Sequence, residues 1–167
     1  MIEPSMMKEI APQYSDENFK FRRFLKNRAD SDKLDTQFAA LHNELFAAYD
    51  CCQCHNCCER YSVELTDEDV ERIAAFLGLG KDVFLQEYAG DTGDGCEIKP
   101  PCPFLEPDGK CRVQPCKPEE CRGYPYTDQP DRLGSLYGVM EFAEVCPVVF
   151  EIVQRLKEIY RFRSLYC

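Results

Sequence analysis

The sequence predicts an α+β fold, a small single domain whose helices bracket a cysteine-rich metal-binding centre with a short β-hairpin. Three observations carry that expectation. Apolar residues recur at helical spacing in several stretches, one apolar–turn–apolar segment reads as a hairpin, and cysteines crowd the middle of the chain. The 167 residues suit one globular unit. Within it, residues 1–50 are expected to be an N-terminal arm and an amphipathic helix. Residues 51–150 are the expected metal-binding domain, and 151–167 a C-terminal helix packing on the same domain.

Residues 1–30 show no clear periodicity, and the basic, aromatic stretch Phe19–Arg28 reads as part of an arm lying on the core. From Ser31 to Tyr49, Leu34, Phe38, Leu41, Leu45 and Ala48 fall on one helical face. Thr66, with Asp69 three residues later, reads as the capping box of a second helix. Val70, Ile73, Ala74 and Leu77 form its inward face, and Gly78-Leu79-Gly80 ends it. Those glycines follow a helix rather than a strand, so they are a helix stop and not a dinucleotide fingerprint. A short helix is expected from Asp82 to Tyr88, followed by a loop over Gly90–Pro101. The segments CPFL and KCRV flank Asp108-Gly109 as the hairpin, and Ser135–Phe142 is expected to be a strand. A last helix runs from Pro147 to Arg161, with proline at its first position.

Composition narrows the function. A net charge of −10 opposes binding to nucleic-acid phosphates or anionic lipid, both of which need clustered Lys and Arg. No stretch is long and apolar enough to span a membrane, and the N-terminus has no basic-then-apolar secretory pattern. The expected compartment is therefore a reducing cytoplasm. There, 12 cysteines point to metal ligation or redox chemistry rather than to a disulfide frame.

The strongest signal is CCQCHNCC at Cys51–Cys58, which reads C-x2-C-x2-C-C through Cys51, Cys54, Cys57 and Cys58. Two-residue spacers let neighbouring thiolates converge on one ion or cluster. The run starts like a bacterial ferredoxin motif but lacks its x3-C-P continuation. It also lacks the second separated C-x2-C pair of a zinc ribbon. Remaining ligands must come from elsewhere, and Cys102, Cys111, Cys116, Cys121 and Cys146 lie downstream. The hairpin brings Cys102 near Cys111. Cys146 stands at a helix N-terminus, where the dipole favours thiolate.

CCQCHNCC, then VELTDEDVERIAAFLGL, then CPFLEPDGKCRVQPCKPEECRGYP together resemble the YkgJ-type cysteine-cluster family, which carries a CxxCxxCC domain. The resemblance implies a zinc- or iron-chelating module over about Cys51–Pro147. It implies metal ligands at Cys51, Cys54, Cys57, Cys58, Cys102, Cys111, Cys121 and Cys146, enough thiols for two four-coordinate sites. Cys52, Cys96, Cys116 and Cys167 fall outside its pattern. Relatives typically carry Arg-Pro where this chain has Lys117-Pro118, so a bidentate salt bridge there is in question. They often carry glycine at the position of His55, which is expected to lie beside the ligands rather than among them. His42 is assigned no role.

Soft thiolates suit iron–sulfur clusters and zinc alike. The ferredoxin-like start favours an iron–sulfur cluster, hence redox or electron transfer, possession of a redox protein partner, and an oxidoreductase reaction the residues do not name. The alternative is a structural zinc-binding module that acts as a protein-interaction domain without catalysis. No nucleophile elbow, zinc-protease helix or phosphate loop is present. No C-x3-C-x2-C spacing occurs either, which excludes radical-SAM chemistry.

Overall fold

The computed structural model describes residues 1–91, 93 and 95–163. Cys167 and part of the expected 90–101 loop lie outside the described residues. The fold is α+β, and its chain contacts divide it into two compact units. One is Met1–Asp50 with the chain from Pro125 on; the other is Cys51–Tyr124.

The first unit is helical. After a 3-10 turn at Pro4–Met6, α1 runs Met7–Arg28 and α2 runs Ser31–Phe46. Later in the chain come α8, Arg132–Phe142, and α9, Pro147–Ile159. Helices α1 and α2 each pack against α8 and α9. The expected arm is thus a long helix. It buries Met7, Ala11, Phe21 and Leu25, but the inward position between them is Asn18, which accepts from Gln154 Nε2 at 3.3 Å. That buried polar residue, and Pro12 inside the helix, conceal the period.

Ser135–Phe142 is helix and not strand. Asp131 caps α8 by accepting from the Gly134 N–H at 3.2 Å, and Leu136, Val139 and Met140 are buried at i, i+3 and i+4. Gly134 and Gly138 lower helix propensity locally, and tertiary burial overrides them. The last helix begins with Pro147 at its first position and buries Val149, Ile152, Val153 and Leu156. His42 is structural: its Nδ1 lies 2.8 Å from the hydroxyl of fully buried Thr127.

The second unit holds the sheet and most cysteines. Short helices α3, Cys51–Cys54, and α4, Asn56–Arg60, precede strand β1, Val63–Leu65. Then come α5, Asp67–Leu77, and α6, Lys81–Tyr88. The capping box at Thr66 and Asp69 forms as expected, and Gly78 ends α5 at φ 71°. The expected loop after α6 contains β2, Gly90–Asp91, and β3, Cys96–Ile98. They form an antiparallel sheet of order β1-β3-β2, with Val63 opposite Ile98 and Leu65 opposite Cys96. Strands this short give no readable alternation; partner pairing creates them.

The hairpin is present in minimal form. A bridge joins Leu105 to Cys111, the Arg112 N–H donates to Phe104 O at 2.8 Å, and Gly109 takes the turn at φ 83°. Helix α7, Glu119–Gly123, follows a 3-10 turn at Gln114–Cys116. Phe84, Ile73, Val70, Ile98, Phe104 and Val113 form this unit's core, with Cys116 buried among them.

Candidate metal centre

The cysteines come to the site on four short pieces of backbone, none of which stands alone as regular structure. Helices α3 and α4 have too few residues to persist in isolation. They meet at His55, whose φ of 43° is left-handed and breaks one helix from the next. Such a backbone suits glycine, so histidine is held there against its own preference. The Cys102 N–H donates to the Cys58 carbonyl at 2.8 Å, which docks the hairpin on α4. At the hairpin tip a Cβ on Gly109 would lie 2.6 Å from the Cys52 carbonyl oxygen and 3.2 Å from His55 Nδ1. The turn and the cysteine run therefore touch through a contact that only glycine permits.

These dockings bring thiols together. Cys121 senses Cys58, Cys102 and Cys111 electrostatically, Cys102 senses Cys58 and Cys111, and Cys111 senses Cys58, so thiols from three segments are neighbours. Cys57 hydrogen-bonds the Cys58 thiol, and that bond, followed by burial, pushes Cys58 far above the ordinary thiol value. Burial, then the neighbouring thiols, raises Cys102 and pushes Cys121 up to about 12. Burial likewise raises Cys111. The charge of Lys117 acts on Cys58, Cys111 and Cys121 in the opposite direction. Lysine thus supplies a cation to the thiols where the sequence put a salt bridge in question.

The other expected ligands are placed as follows. Cys51 is exposed at the start of α3 and Cys54 is buried at its end. Cys146 is buried at the N-cap of α9, in the helical unit. Outside the expected set, Cys96 on β3 points its thiol to Leu65 O at 3.9 Å, and Cys116 belongs to the core. Cys52 was expected to stand apart, yet its charge reaches Cys111. The Nδ1 of His55 is buried without a hydrogen-bond partner among the described residues, while its Nε2 lies 3.6 Å from Glu59. No cysteine pair among the described residues is joined in a disulfide.

The donor set fits a thiophilic metal. Four half-buried thiols cannot all ionise beside one another without a cation, and a single lysine charge does not balance four thiolates. Among the described residues, no three His, Cys, Asp or Glu side chains converge tightly enough to hold a single ion. Also among the described residues, no helix is long and apolar enough to cross a membrane.

Two residues that the sequence did not tie to the site, Asp69 and Arg72, support it. Asp69, fully buried, accepts from the Thr66 N–H at 3.3 Å and from the Glu119 N–H at 3.1 Å, and it pairs with the Arg72 guanidinium. Burial alone would raise its carboxyl; bonds from Thr66, Arg72 and Glu119 outweigh that and hold it below the usual range.

No curated protein and no solved structure matches the chain. One family model does, over residues 50–147, covering all of the cysteine unit and running on through α8 to Pro147. With more than half of its length matched, the chain belongs to the CxxCxxCC family, described as a "putative zinc- or iron-chelating domain".

Proposed function

We propose that this protein is a metal-binding cysteine-cluster protein whose thiol centre holds an iron–sulfur cluster and carries electrons. The carrying observation is the docking of the CCQCHNCC run on the hairpin, with the Cys102 N–H donating to Cys58 O at 2.8 Å, which leaves Cys58, Cys102, Cys111 and Cys121 within electrostatic reach of one another. The ferredoxin-like C-x2-C-x2-C start of the run favours a cluster over a single ion. Bound there, such a cluster supplies one-electron chemistry whose potential follows its charge, hydrogen bonds and exposure. The residues tune those terms: Lys117 offsets thiolate charge, and half-burial of the thiols lowers the local dielectric. The net charge of −10 would steer a redox protein partner with a basic docking patch, over a range of about 10 Å at 0.1 M salt.

A second reading draws on the same four thiols. Four cysteines also close the complement of a structural zinc site, and the module would then present a binding surface without catalysis. Analysis of anaerobically purified protein for iron, acid-labile sulfide and zinc separates the two. Iron with matching sulfide is expected. Stoichiometric zinc without sulfide hands the site to the second reading.

A further inference from the structure

We infer that Asp69 and Arg72 are positioning residues for the thiol centre, holding the Lys117–Glu119 bend so that Lys117 and Cys121 stand beside the other thiols. The inference rests on the thiol-centre reading above and concerns how the chain builds it.

Helix α5 is anchored in the core by Val70, Ile73 and Ala74; Asp69 stands in its first turn and Arg72 three residues further on. Arg72 Nη2 donates to the Lys117 carbonyl at 2.9 Å, and the Glu119 N–H donates to Asp69 at 3.1 Å. The two pinned backbone groups flank Pro118, which has no N–H of its own to offer. Cys121 follows two residues after Glu119, on a helix of only five residues. A helix that short takes its position from its attachments. The second attachment is the Glu64 N–H, which donates to Glu120 at 2.6 Å. On the other side of Pro118, Lys117 acts on three of the four thiols. The Asp69–Arg72 pair is therefore the common support of Lys117 and Cys121. Sequence separation is 45 residues from Arg72 to Lys117 and 50 from Asp69 to Glu119.

The test is Co²⁺ titration of the reduced, metal-free full-length chain, read by sulfur-to-cobalt charge-transfer absorption, with folding followed by circular dichroism. Removing outer support of a metal site typically costs about 10–100-fold in affinity. Arg72→Lys keeps a charge beside Asp69 but replaces the fork with a single point. We expect it, and Asp69→Asn, to fold, to lose about tenfold or more in Co²⁺ affinity, and to lose one thiolate's share of the band. Glu119→Ala should behave as wild type, because Glu119 contributes its backbone N–H. Should Asp69→Asn fail to fold, Arg72→Lys decides. A wild-type band that Arg72→Lys leaves unchanged in intensity and affinity overturns the inference and spares the metal-centre reading. A wild-type chain with no such band overturns both.

Discussion

The backbone N–H of Cys102 donates to the carbonyl oxygen of Cys58 at 2.8 Å. That bond joins the CCQCHNCC run to the hairpin, and the thiols of both residues then share one neighbourhood with Cys111 and Cys121. Ligand replacement should respect this geometry. Cys58→Ser and Cys121→Ser should each lose the bound metal, because hydroxyl oxygen is a poor donor at a soft site. Cys96→Ser should keep it, since that thiol faces Leu65 O on the sheet. Elemental analysis checks this, and equal metal loss from all three variants would contradict the placement.

The hairpin tip offers a steric test. Gly109 has φ 83° and no room for a Cβ against the Cys52 carbonyl. A left-handed backbone costs an L side chain about 1–2 kcal/mol, and the close approach adds to that. Gly109→Ala should lower stability by about 2 kcal/mol or more and speed metal loss to a chelator, measured by thermal unfolding and release kinetics. An unchanged melting temperature would contradict the close contact.

His55 gives the opposite expectation. Its φ of 43° is strained for histidine, and glycine relieves that strain while adding about 0.4–1 kcal/mol of unfolded-state entropy. The exposed contact with Glu59 contributes little. His55→Gly should therefore change stability by less than about 1 kcal/mol and leave metal content intact. Loss of metal from this variant would make His55 a ligand.

The raised thiols fix the sign of an alkaline effect. A group whose pKa is higher folded than unfolded contributes stability that is fully present below its unfolded value and lost as pH rises through its folded value. For Cys121 that window runs from the ordinary 9.0 to about 12. The metal-free chain should lose stability across it, and Cys121→Ala should flatten the loss. Denaturant unfolding at several pH values within the window measures both slopes, and identical slopes would contradict the shift.

Much of the α+β plan is legible in the chain because α2, α5 and α9 carry regular apolar spacing and recognisable caps. Where polar Asn18 takes an inward position the spacing breaks and α1 goes unseen; where glycines interrupt α8 the helix reads as strand. Strands β1 and β3 exist through pairing between residues more than 30 apart in sequence, such as Leu65 and Cys96. The site divides the same way. CCQCHNCC announces thiol chemistry by its density, whereas the reach of Cys52 to Cys111, and the bonds from Asp69 and Arg72 across to Lys117 and Glu119, arise only on folding.

Metal removal should affect the two units unequally. The segment 95–124 has little regular structure, and ligation supplies folding energy where no preformed site exists. Chelation should therefore abolish hydrogen-exchange protection around Cys102–Cys121 while α2 and α9 stay protected. Equal protection with and without metal would show that the fold holds this segment unaided.

The most direct test of the central claim is an anaerobic reductive titration of the purified, fully metallated protein, followed by visible absorption and electron paramagnetic resonance. The account predicts broad absorption that bleaches on reduction and returns on reoxidation. A featureless titration of the metallated protein would contradict it.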